Sequence, residues 1–397
     1  MKLLFIFFLL FTIALTDGIP LGPTPDMPTE SSDITIISTL SMRYPEEIAI
    51  DPTGTFYLTG TADGYVKKVI LETNEVSTFL TPRDFNPDHF TLWTDEEIAS
   101  YCDGAQNETH ILEPICGRVL GIKFYTEANN GKQYAYIVNS YFGIWEYRFK
   151  NNGNDKIKNI FEQTGVFLND VYRIGDNLYY TNSHTTAQRF TVISVVLDSN
   201  PIGQGSFNVY DMKRKDHTTL IDGLFFANGI TVSSDKRFFY ISETDAARIV
   251  KYEIATGETS YLVENLPVLT DNIYLDKSEL CEESGICDND GTLIVPGYHR
   301  VEGLDAVLRD FSEMATFMTQ PFFTVVVPTF KSWIKPVGTI CEVDEATGEI
   351  TKMIFSDGYP VEPNSFLLAA SAHKLGPNEY ITGSVFFPAV FRFIVNE

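Results

Sequence analysis

Basic residues are scarce in this sequence: 29 Lys and Arg stand against 53 Asp and Glu, a formal charge of −24. So acidic a surface repels phosphate backbones and argues against a nucleic-acid partner. Beyond the first fifteen residues no apolar run approaches the roughly 20 residues that cross a bilayer, so nothing later reads as a membrane span. Amphipathic helical periodicity is also scarce, which points away from helical folds. Cysteine is sparse and odd in number, five in all, so any set of disulfides leaves one thiol over.

What is present begins with Met1-Lys2 and an apolar run from Leu3 to Leu15, ending at small or polar Ala14, Thr16 and Asp17. One positive charge, a short apolar stretch and a small-residue exit predict a secretory signal peptide over 1–16 and a secreted, extracellular protein. Residues 17–33, rich in Pro, Ser, Thr and Gly, read as a disordered leader. Export permits disulfides. Cys102 and Cys116 enclose a polar stretch and Cys281 and Cys287 a short acidic loop, so each pair is expected to bridge locally. Cys341, in the alternation Gly338-Thr339-Ile340-Cys341-Glu342-Val343, is expected to be a buried free thiol. Asn107-Glu108-Thr109 is a glycosylation sequon, usable on an exported chain.

Short runs of Val, Ile, Tyr, Phe and Thr alternate with Gly, Asp and Asn turns, the pattern of an all-β fold. An internal repeat selects among such folds. Glu46-Glu47-Ile48-Ala49-Ile50-Asp51 leads through a Gly-containing turn to Phe56-Tyr57-Leu58. Asn228-Gly229-Ile230-Thr231-Val232 leads through Asp235 to Phe238-Phe239-Tyr240-Ile241. The unit recurs at Asn169-Asp170-Val171 and Asp271-Asn272-Ile273, with weaker copies at Leu120-Gly121-Ile122 and Asn364-Ser365-Phe366. Asn228 to Asp271 spans about the 40–45 residues of a four-stranded blade. The six starts predict a six-bladed β-propeller over 34–397. Closure requires the two ends of the chain to pair: Ile34–Leu40 is expected beside Val390–Val395 as the outer strand of the last blade.

In a propeller the innermost strands line the axis, so equivalent residues converge. At that position the repeat places Glu46, Asn169, Asn228 and Asp271. Any one Asn or Asp at a strand start is explained by its turn-forming habit; four coinciding oxygen ligands predict a bound cation. Two carboxylates and two amides suit calcium, whereas zinc would call for His or Cys. Glu47 and Asp170, one residue further on, are candidates for a second ion deeper in the channel.

Phe225-Phe226-Ala227-Asn228-Gly229-Ile230, Ile241-Ser242-Glu243-Thr244, Ala247-Arg248-Ile249, Cys116-Gly117-Arg118-Val119-Leu120-Gly121-Ile122, Phe167-Leu168-Asn169-Asp170 and Val263-Glu264-Asn265-Leu266-Pro267 carry a resemblance. From about Pro45 onward the chain resembles the strictosidine synthase-like and adipocyte plasma membrane-associated protein-like family, in the wider paraoxonase-like and gluconolactonase-like propeller group. The resemblance implies a six-bladed propeller with a channel calcium held by residues matching Glu46, Asn169, Asn228, Asp271 and Asn272. It also implies a disulfide between Cys102 and Cys116.

The resemblance breaks at two places. Paraoxonase-like hydrolysis implies a histidine pair, where this chain has Leu120 and Ser140. Strictosidine synthase activity implies a last-blade glutamate, where this chain reads Leu368-Ala369-Ala370-Ser371-Ala372-His373. Alkaloid condensation is therefore not expected. His184, after Tyr180-Thr181-Asn182-Ser183, is a candidate catalytic histidine, and Asp271 a candidate base or nucleophile on a metal-polarised substrate. Two classes remain: a calcium-dependent hydrolase of esters or lactones, and a calcium-stabilised binding protein without turnover. In the fifth blade, Leu304, Val307, Leu308, Phe311, Ala315 and Met318 recur at helical spacing within an insertion of about 301–336. It reads as a helix packed on the blades, a channel lid or a lipid-touching surface.

Overall fold

The computed structural model describes residue 25 and residues 32–103, 112–150, 155–162, 166–189, 203–276, 291–300, 338–356, 369–384 and 387–396. The signal peptide and most of the leader, the sequon at Asn107, the Cys281–Cys287 pair, the 301–336 insertion and the repeat start at Asn364 lie outside these residues.

The strands form six antiparallel sheets arranged as the blades of a propeller. Blade 1 contains Ala49–Ile50, Phe56–Gly60, Val66–Ile70 and Val76–Leu80; blade 2 contains Val119–Thr126, Gln133–Asn139, Gly143–Arg148 and Lys156–Phe161. Blade 3 runs through Phe167–Ile174, Asn177–His184, Gly205–Asp211 and Asp216–Leu224, and blade 4 through Ala227–Val232, Phe238–Glu243, Arg248–Glu253 and Thr259–Val263. In blade 5 the inner strand is split into Val268–Thr270 and Tyr274–Asp276, both pairing with Thr292–His299, followed by Gly338–Asp344 and Ile350–Ser356. In blade 6 the inner strand is Ser371–Gly376, further along the chain than the start read at Asn364, followed by Glu379–Gly383 and Ala389–Val395.

The ring closes as the end-pairing argument requires. Ile34–Ser41 pairs antiparallel with Ala389–Val395, Ile34 opposite Val395 and Ser41 opposite Ala389. This leaves no open first or last blade. Apolar clusters lie between neighbouring blades: Tyr240, Leu266, Leu293 and Cys341 join blades 4 and 5, while Ile34, Ile294, Ile340 and Phe393 join blades 5 and 6. Cys341 is the free, buried cysteine among the described residues.

Among the described residues the connection between blades 1 and 2 carries four short helices, Pro82–Phe85, Pro87–Phe90, Asp95–Asp103 and Glu113–Cys116. Three are single turns and three begin at or beside a proline, too short for a 3.6-residue period to show in the sequence. The Cys102–Cys116 disulfide closes this insertion, with a Cα–Cα distance of 5.8 Å.

Candidate functional site

Strand physics alone would turn successive residues to opposite faces. The inner strands break that rule at one equivalent place. The ladder to the second strand slips between Val119 and Ile122, between Leu168 and Val171, and between Ala227 and Ile230, and in blade 5 it lapses at Asp271-Asn272-Ile273. A bulge releases residues from alternation and re-aims their side chains. The positions freed are Leu120-Gly121, Asn169-Asp170, Asn228-Gly229 and Asp271-Asn272. The backbones here nearly touch: a Cβ on Gly229 would stand 2.5 Å from Asn272 Cα, and one on Gly121 2.7 Å from the Asn169 carbonyl oxygen.

Hydroxyl groups then fix the amides. Asn169 Nδ2 donates to Ser183 Oγ at 2.9 Å, and Ser183 Oγ donates to the Ala227 carbonyl at 2.8 Å, just before Asn228. One blade on, Asn228 Nδ2 donates to Thr244 Oγ1 at 3.2 Å, and Thr244 Oγ1 donates to the Thr270 carbonyl at 2.7 Å, just before Asp271. With the Asn169 and Asn228 nitrogens occupied, their amide oxygens are left over. Asn169 Oδ1, Asn228 Oδ1, Asp271 Oδ1 and both Oδ1 and Nδ2 of Asn272 are buried without a hydrogen-bond partner among the described residues. Three orphaned oxygens at equivalent places in consecutive blades, with a fourth one residue on at Asn272, are costly, because each loses its water on folding without a replacement donor. A hard cation with six to eight oxygen ligands restores what they lack. The donor set therefore fits calcium.

The carboxylates complete the arrangement. Burial pushes the Asp271 carboxyl up to about 8, with Glu46 adding repulsion, against the hydrogen bond from Tyr298 that favours the anion. Tyr298 Oη donates to Asp271 Oδ2 at 2.5 Å, leaving Oδ1 as the oxygen without a partner. Glu46 is likewise raised by burial, opposed by Arg118 and Arg189. Arg118 Nη2 reaches Glu46 Oε2 at 3.3 Å and the Tyr44 carbonyl at 3.0 Å. Arg189 in turn pairs with Glu113 at 2.6 Å. Among the described residues no three His, Cys, Asp or Glu side chains gather as a metal site. Two carboxylates and three amides are a calcium-like set, and zinc or copper would find no nitrogen or sulfur cluster here.

One residue further along the chain, Glu47 and Asp170 both pair with the Lys123 ammonium: 3.4 Å to Glu47 Oε2 and 3.1 Å to Asp170 Oδ2. His373 Nε2 lies 3.8 Å from Glu47 Oε1. Asp170 also accepts from the backbone N–H of Val171 at 2.8 Å and of Ile230 at 2.9 Å, which ties blade 3 to blade 4. Burial would raise Glu47, yet Lys123 and His373 outweigh it and hold the carboxyl below its usual range. For Asp170 burial wins, pushing the group up to about 6 despite Lys123.

His184 is buried at the end of the second strand of blade 3, opposite Phe167. Its Nδ1 accepts from the N–H of Thr186 at 3.1 Å and of Ala187 at 2.9 Å. Two donors on Nδ1 assign the proton of the neutral ring to Nε2, which makes that nitrogen a donor. Leu120 packs with Phe167 and Phe226, whose rings meet edge to face at 5.4 Å. Phe226 holds φ +61°, a left-handed conformation uncommon for an aromatic residue. Ser140, the second position of the missing histidine pair, is buried. Ser183, Thr244, Tyr298, Arg118 and Lys123 were not singled out by the repeat. A signal for the first two exists: Thr181-Asn182-Ser183 and Ser242-Glu243-Thr244 end equivalent strands with the same hydroxyl spacing.

The family model described as strictosidine synthase matches residues 169–257, the stretch that contains both amide–hydroxyl pairs, Asn169 with Ser183 and Asn228 with Thr244. A strictosidine synthase-like protein of Arabidopsis thaliana is 31% identical over 283 residues, 66% of this chain and 65% of that protein. The adipocyte plasma membrane-associated protein of Gallus gallus is 32% identical over 235 residues, 57% of this chain and 49% of that protein. The chain thus spans between about half and two thirds of these relatives' own length. Among solved structures, a luciferin-regenerating enzyme matches at 12% identity with a TM-score of 0.51, covering 91% of this chain and 95% of that one, a likeness of fold. The family resemblance read from the motifs is borne out. No helix among the described residues is long and apolar enough to cross a membrane.

Proposed function

We propose that this strictosidine synthase-like propeller is a secreted, calcium-dependent hydrolase of esters or lactones, with the ion held by Glu46, Asn169, Asn228, Asp271 and Asn272. The observation that carries the reading is the set of four buried Oδ1 atoms, on Asn169, Asn228, Asp271 and Asn272, that have no donor. When bound, calcium would act as a Lewis acid on a carbonyl or phosphoryl oxygen. The chain's own residues supply the rest. Ser183 and Thr244 orient the amides, and Tyr298 fixes the Asp271 carboxylate so that one oxygen stays available. Asp271 is the candidate group to accept a proton or attack the substrate, and the buried cluster of Leu120, Phe167 and Phe226 packs beside the inner strands of blades 2, 3 and 4. His184, protonated at Nε2, suits hydrogen-bond donation to developing negative charge better than proton abstraction.

The test is turnover per folded molecule against aryl esters and lactones at saturating calcium. Wild-type activity lost in chelator, and lost in Asp271→Asn and Asn228→Ala, is the expected result. A panel on which the folded wild-type protein shows no turnover would overturn the hydrolase reading. The alternative, a calcium-stabilised binding protein, draws on Leu120 and Ser140 standing where the resemblance implies a histidine pair. It predicts that each substitution lowers stability while any slow background cleavage persists in the folded fraction.

A further inference from the structure

We propose that the Lys123 ammonium is a built-in cation occupying a second, deeper position on the propeller axis, so that the channel takes one divalent ion and not two. The inference rests on the ring reading only for the identity of the first ion. Blade 2 contributes Leu120 where its neighbours contribute oxygen, so it adds nothing to the upper ring. From three residues further along the same strand it sends Lys123 beneath that ring. The ammonium lies 3.1 Å from Asp170 and 3.4 Å from Glu47. These two acids directly follow Asn169 and Glu46 in the chain, and His373 of blade 6 lies beside Glu47. One side chain thereby joins blades 1, 2 and 3, with blade 6 closing the far side.

Charge explains why something positive must stand there. Glu47 and Asp170 are almost entirely buried, and two carboxylates facing each other out of water destabilise the fold unless a cation lies between them. A divalent ion or an ammonium meets that need. Lys123 does so covalently, so this layer is independent of free calcium, and its carboxylates stay fixed when the upper ring is emptied. The fixed pair also anchors the backbone directly after Glu46 and Asn169, which makes Lys123 a positioning residue for the ring above.

The experiment compares calcium bound per folded molecule in the full-length wild-type protein, Lys123→Met and Lys123→Met/Glu47→Gln, by equilibrium dialysis. The expected result is one additional calcium in Lys123→Met relative to wild type, lost again in the double variant. A Lys123→Met chain that is folded only in calcium also supports the proposal. Should that chain stay unfolded at every calcium concentration, Lys123→Gln takes its place, with the extra ion expected at millimolar calcium. A folded variant at position 123 that binds no more calcium than wild type overturns the proposal. Wild-type binding of zero or one ion tests the upper ring by itself, so the increment and the baseline fail separately.

Discussion

At the scale of single residues, the site is an exercise in disposing of amide nitrogens. Asn169 and Asn228 each place Nδ2 on a hydroxyl, and that hydroxyl spends its own proton on the carbonyl preceding the next blade's ligand. Removing one hydroxyl therefore frees an amide and loosens a neighbouring blade together. Ser183→Ala and Thr244→Val are each expected to weaken calcium binding about 10-fold or more, as outer-shell substitutions do, read by calorimetric titration. Unchanged affinity in both would show that the relays are incidental. Cys341 provides a second residue-scale expectation. Burial pushes its thiol up to about 12, so native protein should resist alkylation at pH 8 and label only after unfolding.

This is also the scale at which the sequence was most legible. Glu46, Asn169, Asn228 and Asp271 could be read because inner-strand starts repeat. Lys123 could not, since a lysine after Gly121-Ile122 looks like any solvent-facing strand residue until the fold puts two acids around it. For His184 the residue was visible in the sequence but its tautomer was not, because the donors to Nδ1 are backbone N–H groups set by a turn.

At the scale of elements, the bulged inner strand matters more than the regular one. Period-2 alternation predicts that Asn169 and Asp170 face opposite sides; the ladder slip between Leu168 and Val171 releases both from that alternation. No sequence pattern marks that slip, although glycine beside the ligand position does so indirectly. Gly229→Ala would drive a Cβ to 2.5 Å from the Asn272 Cα, a clash with backbone that no rotamer change relieves. It is expected to destabilise the protein by about 3 kcal/mol or more, as overpacking of a tight interior does, measured by chemical denaturation. A loss below about 1 kcal/mol would mean the inner strands separate easily, contrary to the packing described. The helical connection behaves differently. Cys102 and Cys116 are 14 residues apart, so opening the disulfide should cost about 3 kcal/mol by loop entropy while leaving the strand signal in circular dichroism intact.

At the scale of the whole molecule, the terminal strand Ile34–Ser41 and the axial site do the same job from opposite ends of each blade: both join parts of the chain that are remote in sequence. The closure was legible because a propeller has only one way to protect its last edge. The blade count was legible too; the sixth start, read at Asn364, lies outside the described residues, and the described inner strand of that blade begins at Ser371.

Linkage between pH and calcium follows from Asp271. Its carboxyl is held up to about 8 in the fold, so the folded calcium-free protein binds a proton that the unfolded chain releases in the usual carboxylate range. The associated stability is complete below about pH 4 and is lost as pH rises through about 8. Calcium displaces that proton, so the stabilisation by added calcium should grow between pH 5 and 8. A calcium increment that is flat across this window would contradict the assignment of Asp271 as a ligand.

The most direct measurement is the thermal unfolding midpoint of the purified full chain at pH 7.5, in excess chelator and in a calcium series. An ion joining four blades binds the folded state alone, and at a calcium concentration one hundred times its dissociation constant it stabilises by about 2.7 kcal/mol. The account predicts a midpoint that climbs steadily with calcium in the wild type and not in Asn228→Ala. A midpoint that is the same in chelator and in saturating calcium would contradict it.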